Sequence, residues 1–138
     1  MDKAALNYLS LARKGGMAEL GEEPAGAAAR AGKAYLILVA EDASDHTWRR
    51  ALSFAAGTDQ QCVRLPATKD RMGEATGRQE LAIAAITDPS LALALLKALP
   101  EPEKFEHQMG VLTEKARKAQ QRRAEAKAHR RNVKRGKK

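Results

Sequence analysis

The sequence predicts an α/β domain followed by a basic extension, and three observations predict it. Residues 34–40, Ala-Tyr-Leu-Ile-Leu-Val-Ala, carry no charge and run into Glu41 and Asp42. They read as a strand buried on both faces whose C-terminal end meets water. A second apolar run, residues 81–86, can pair beside it once a helical segment has carried the chain back. The charges are divided unevenly. Residues 115–138 hold 12 Lys and Arg against the single acid Glu125, a net +11, while the remaining 13 bases and 16 acids leave −3 on the rest.

In chain order, the first helix is predicted over residues 3–14, with Ala5, Leu6, Leu9 and Ala12 on one face and Gly15-Gly16 ending it. Arg13 and Lys14 fall in its last turn, where cations offset the negative end of the helix dipole. Residues 17–20 form a short strand. Gly21-Glu22-Glu23-Pro24 then turns into a second helix, with Pro24 expected at its first position and the carboxylates at its positive start. Gly26, Ala27, Ala28 and Ala31 are small enough to let this helix lie close to the sheet, and Gly32 stops it.

The central strand, 35–40, comes next. A third helix follows with Trp48, Ala51, Leu52 and Ala55 as its inner stripe and Gly57 at its end. Residues 62–65 read as a strand in which Cys62 is a small buried filler. Thr68 can cap a fourth helix that turns Met72 and Ala75 inward and stops at Gly77. The polar loop Arg78-Gln79-Glu80 leads into a strand over 81–87. Asp88 can cap and Pro89 can start a fifth helix over 91–99.

Pro100 and Pro102 mark a boundary between a domain over residues 1–100 and an extension over 101–138. The extension carries a helical pattern from Glu103 to about Arg131, with Phe105, Met109, Leu112, Ala116 and Ala119 in a narrow apolar seam. That seam is too short for a coiled coil of about three or four heptads, so it is expected to pack on its own domain and leave a monomer. The basic half beyond it is a helix or a disordered arm that orders on binding.

Composition narrows the function. Hydrophobic residues make up 43% of the chain, enough to bury a core, and the 4% that are aromatic leave that core to Ala, Leu, Ile and Val. No apolar run approaches the roughly 20 residues needed to span a bilayer. The N-terminus lacks a signal-peptide pattern, so a cytoplasmic location is expected. One cysteine excludes an internal disulfide and a cysteine-cluster metal site. Residues 73–77 and Gly15-Gly16 lack the spacing of a phosphate loop or a dinucleotide fingerprint. Glu41-Asp42 read as a solvated strand end, and His46, His107 and His129 have no ligand spacing. No enzyme activity, cofactor or metal is expected. A +11 block is what a polyanion-binding arm looks like, and nucleic acid is the commonest such partner.

An ordered set of short stretches carries a resemblance. Leu11-Ala12-Arg13-Lys14-Gly15-Gly16, Gly21-Glu22-Glu23, Arg30-Ala31-Gly32-Lys33-Ala34, residues 36–44, residues 72–77 and Ala85-Ile86-Thr87-Asp88-Pro89 together resemble the ribosomal L-seven-Ae / L-thirty-e family. Their order and spacing suit its bacterial YlxQ-like branch. The match covers about residues 4–99 and leaves the extension outside. The resemblance implies a three-layer α-β-α sandwich with a mixed four-stranded sheet. It also implies binding of structured RNA, typically a kink-turn with tandem sheared G·A pairs, in ribosomal RNA or the ribosome.

The family's RNA surface maps onto Gly21, Glu22 and Glu23 at the turn and onto Arg78, Gln79 and Glu80 in the loop before the last strand. Where archaeal members show Asn-Glu and then Lys three residues on, this chain has Glu23-Pro24 and Ala27. Arg122, Arg123, Arg130 and Arg131 of the basic extension are expected to add affinity through phosphates. Two other readings remain open: a protein-interaction adaptor using the seam at 105–119, and an accessory RNA-substrate-binding module of an RNA-modifying enzyme.

Overall fold

A computed structural model describes residues 3–136, with side chains through residue 131. Residues 1 and 2 of the expected domain and 137 and 138 of the extension lie outside the described residues. The elements follow in the order α1 (Lys3–Lys14), β1 (Ala18–Leu20), α2 (Glu22–Arg30), β2 (Leu36–Ala40), α3 (Asp45–Ala55), β3 (Gln61–Leu65), α4 (Lys69–Thr76), β4 (Ile83–Ile86), α5 (Pro89–Lys97) and α6 (Glu106–Gly136). A short 3-10 turn, Pro102–Phe105, leads into α6.

The strands form one mixed four-stranded sheet in the order β1-β4-β2-β3. β4 runs antiparallel to both β1 and β2, whereas β2 and β3 run parallel. Every residue of β2 from Leu36 to Ala40 is fully buried, as its uninterrupted apolar run requires. α2 and α3 pack together in one layer; α1 packs on α4 and α5, and α5 on α6, in the other. The result is the expected α-β-α sandwich.

Side-chain caps fix three helix starts. The hydroxyls of Ser44 and Thr68 and the carboxylate of Asp88 accept the backbone N–H groups of Thr47, Arg71 and Leu91 at the starts of α3, α4 and α5. Asp42 serves the chain rather than chemistry: its Oδ1 accepts the Lys69 N–H at 2.8 Å and ties the end of β2 to α4. The buried Gln60 accepts from Ala34 N and donates to Ala29 O, joining the end of α2 to the approach to β2.

Four expectations need correction. α2 starts at Glu22, so Pro24 is its third residue rather than its first; the ring is still harmless there, because the N–H groups of a first turn have no helical partner. Leu52 is 43% exposed, and Phe54 takes the inward place on α3. The reason lies on α2, where Gly26 leaves room for that ring: a Cβ there would stand 2.9 Å from Phe54 Cζ. Cys62 is half-buried, enough to push its thiol pKa up to about 12. The last strand is shorter than 81–87, because the Leu81 N–H turns aside to Lys69 O.

The seam packs on its own domain. Leu112 and Ala116 are buried and Phe105 and Met109 half-buried, with α5 as the neighbouring helix. Those side chains are therefore covered, wholly or in part, by the chain's own domain. The helix does not stop near Arg131 but continues to Gly136. At about 1.5 Å per residue, its 31 residues make a rod of about 46 Å. No helix among the described residues is long and apolar enough to cross a membrane.

Candidate nucleic-acid interface

β1 ends at Leu20 and the chain enters α2 through Gly21, whose φ of 99° and ψ of 165° belong to a region that only glycine occupies without strain. The Gly21 N–H donates to Ile83 O at 2.9 Å, which fixes the turn to the start of β4. With no side chain at this position, α2 lacks the cap that α3, α4 and α5 possess. The amides of its first turn are left for solvent or for a ligand that brings acceptors, such as phosphate or a base edge.

The sequence places residues 78–80 far from this turn, and the fold brings them back. The Arg78 guanidinium lies over Gly21, with Nη1 3.7 Å from where a Cβ would stand. The loop is held from behind: Arg78 N–H donates to Gly73 O at 2.8 Å, and Gly73 sits against the backbone of Glu80. Arg78, Gln79 and Glu80 are all exposed, as is Glu23, whereas Gly21 and Glu22 are half-buried. Glu22 faces Arg50 at 3.9 Å, a long surface pair that costs little to open. The approach of Arg78 to Gly21 thus brings the turn and the loop together, with Glu23, Arg78, Gln79 and Glu80 exposed.

The charge of this patch is mixed. The six residues hold one guanidinium and three carboxylates, Glu22, Glu23 and Glu80, so attraction to a phosphate backbone is weak, while acceptors for base amino groups are plentiful. Arg13 enlarges the patch: its guanidinium lies against Gly77, one residue from Arg78. The sequence left Arg13 evenly between a helix-end cation and a ligand-binding residue, because contact between α1 and α4 leaves no local pattern.

The other four candidates lie elsewhere. α6 descends antiparallel to α5, so that Phe105 lines a cleft with Leu99 and Leu65 while Arg123 meets Asp88, the cap of α5, at 3.2 Å. Asp88 follows the end of β4, whereas Gly21 is bonded to its start. Arg122, Arg123, Arg130 and Arg131 therefore gather at the opposite end of the sheet from Arg78, and all four are exposed. The cleft beside Phe105, about 420 Å³, contains none of the ten candidates. His46, His107 and His129 are exposed on separate helix segments.

No protein-family model and no curated protein matches the chain. Among solved structures, it is similar to a protein of unknown function from Bacillus halodurans C, with a TM-score of 0.59 and 23% identity over 66% of this chain and 95% of that one. It is also similar to the Giardia lamblia 15.5kD RNA binding protein, with a TM-score of 0.56 and 21% identity over 75% of this chain and 85% of that one. The fold is shared with an RNA-binding protein.

Proposed function

We propose that this chain is a non-enzymatic, cytoplasmic RNA-binding protein of the ribosomal L-seven-Ae / L-thirty-e family, in its YlxQ-like branch. It acts as a monomer on structured, kink-turn-like RNA of the ribosome or its assembly. The observation that carries the reading is the uncapped start of α2 at Gly21 lying open beneath the Arg78 guanidinium. The fold shared with the Giardia protein supports it, as does the +11 block in the same chain. In this reading Gly21 lets an RNA backbone approach, the first N–H groups of α2 donate to its phosphate oxygens, and Arg78, Gln79 and the carboxylates read base edges. The basic helix adds affinity without choosing sequence.

Selection of the full-length protein against a random pool of structured RNA tests this. The expected outcome is enrichment of one internal-loop motif containing tandem G·A pairs. The double variant Arg78→Ala/Gln79→Ala should then lose about 1–3 kcal/mol of preference for that motif over an unrelated hairpin. If the pool stays unenriched, the reading fails.

A further inference from the structure

We infer that the free end of α6 is a second RNA-binding surface, built for the phosphate backbone of an RNA duplex and separate from the patch at Gly21. It rests on the RNA-binding reading for the nature of the partner, but on different residues and a different end of the molecule.

The first argument is the face. Met109, Leu112, Ala116, Ala119, Arg123, Lys127 and Arg130 recur at steps of three and four, so they share one side of α6. The first four lie at least half-buried, and Arg123 on the same side turns to Asp88. From Gln120 to Arg131 every residue is exposed, so the stripe continues past the edge of the domain as Lys127 and Arg130, with Arg131 beside them. The side that is apolar where it meets protein becomes cationic where protein ends. Glu125 falls on the far side, hydrogen-bonded to Gln121 Nε2 at 3.1 Å.

The second argument is which cations remain available. Lys115 is paired with Asp59, Arg117 with Glu114 and Arg123 with Asp88. Among the described residues of the extension, Lys118, Arg122, Lys127, Arg130 and Arg131 have no acidic partner within 4 Å; Lys127 and Arg130 lie in the overhanging stripe and Arg131 beside it. α6 contains no Phe, Tyr or Trp, so it offers no aromatic platform on which single-stranded bases would stack. A straight row of cations without such rings suits a duplex backbone.

The third argument is distance. Ile83, bonded to Gly21, and Asp88, paired with Arg123, are five residues apart, roughly 17 Å along an extended chain. Arg130 lies a further 10 Å or so along α6. The sum exceeds the roughly 8 Å Debye length at physiological salt about threefold, so the two surfaces do not share one electrostatic field.

The test is a titration of the full-length protein with a fluorescent, blunt-ended 20-base-pair RNA duplex at physiological salt. Arg130→Glu or Lys127→Glu should weaken binding about tenfold or more, since each removes a phosphate contact and adds a repulsion. Lys118→Glu, identical in charge but off the stripe, should cost less than about threefold. Arg78→Ala should leave the duplex affinity unchanged. Equal losses from all three reversals would overturn the proposal in favour of diffuse charge. Loss of the duplex by Arg78→Ala would place it on the Gly21 patch and overturn it as well, as would a wild-type chain that ignores the duplex. A failed selection from structured RNA would remove the Gly21 reading and leave this titration standing.

Discussion

Gly73 decides where Arg78 stands. A methyl group there would lie 2.7 Å from Glu80 Cα and 2.8 Å from both Arg78 O and Glu80 N, all backbone atoms that cannot rotate away. Gly73→Ala should therefore push the 78–80 loop outward and cost about 1–3 kcal/mol by overpacking, a loss that urea denaturation would measure. Amide shifts at residues 21–23 should move with it, and an unperturbed turn would show that the loop is held by something else. The sequence offers no hint of this role, because a Gly inside a helical stretch looks the same whether or not a backbone passes close by. Cys62 was legible only in part: it packs against the core as a filler on its strand, but is half-buried rather than buried. Burial raises its thiol pKa to about 12 and keeps it protonated at neutral pH.

The elements were read most easily where chemistry is local. A short unbroken apolar run with branched side chains and a charged end reads as a strand buried on both faces, and oxygen-bearing side chains before helical stretches became caps at Thr68 and Asp88. What failed was the choice between Leu52 and Phe54, because both fit the inner face of a helix through Ala51 and only the gap at Gly26 selects the ring. Docking of α6 likewise depends on a partner invisible in sequence. Asp59 is hydrogen-bonded to the Lys115 ammonium, which holds its carboxyl below the usual 3.8. A depressed folded pKa means that the stabilisation is present above the unfolded value and lost as pH falls through the folded one. Protection of α6 amides around residue 115, corrected for intrinsic exchange, should therefore drop between neutral pH and pH about 3. Asp59→Asn should already be less protected at pH 7 and show a smaller drop; an identical profile in wild type and variant would rule the tie out.

At the scale of the whole molecule, residues 1–114 and 115–138 oppose each other in charge, −3 against +11, and the geometry carries most of the positive charge away from the domain. Seven of the twelve bases of residues 115–138 follow Arg123, beyond the packed seam. If about six of these meet phosphates, log K should fall with log salt at a slope near −4 to −5. Ending the chain after Arg123 leaves the seam intact and should flatten that slope to about −1 or less. A salt titration on two unrelated RNAs measures both, and an unchanged slope would return the affinity to the domain. The layered fold itself was legible from the alternation of patterns and from the resemblance, whereas the opposite placement of Arg78 and the basic arm was not, because it depends on which way α6 runs back along α5. One consequence of the strand order concerns time. Ile86 sits opposite Ala18 on one side and Leu36 on the other, so the strand in the middle of the sheet is the last to be made. During synthesis β1 has no neighbour and β2 only β3 until residue 86 has emerged, and the sheet then closes in one late step. At about 5–20 residues per second, the ribosome needs roughly another 2–7 seconds to reach Arg123. The cationic arm thus enters solution only after the last strand of the sheet, so the domain has a lead of seconds in which to close before most of the positive charge arrives.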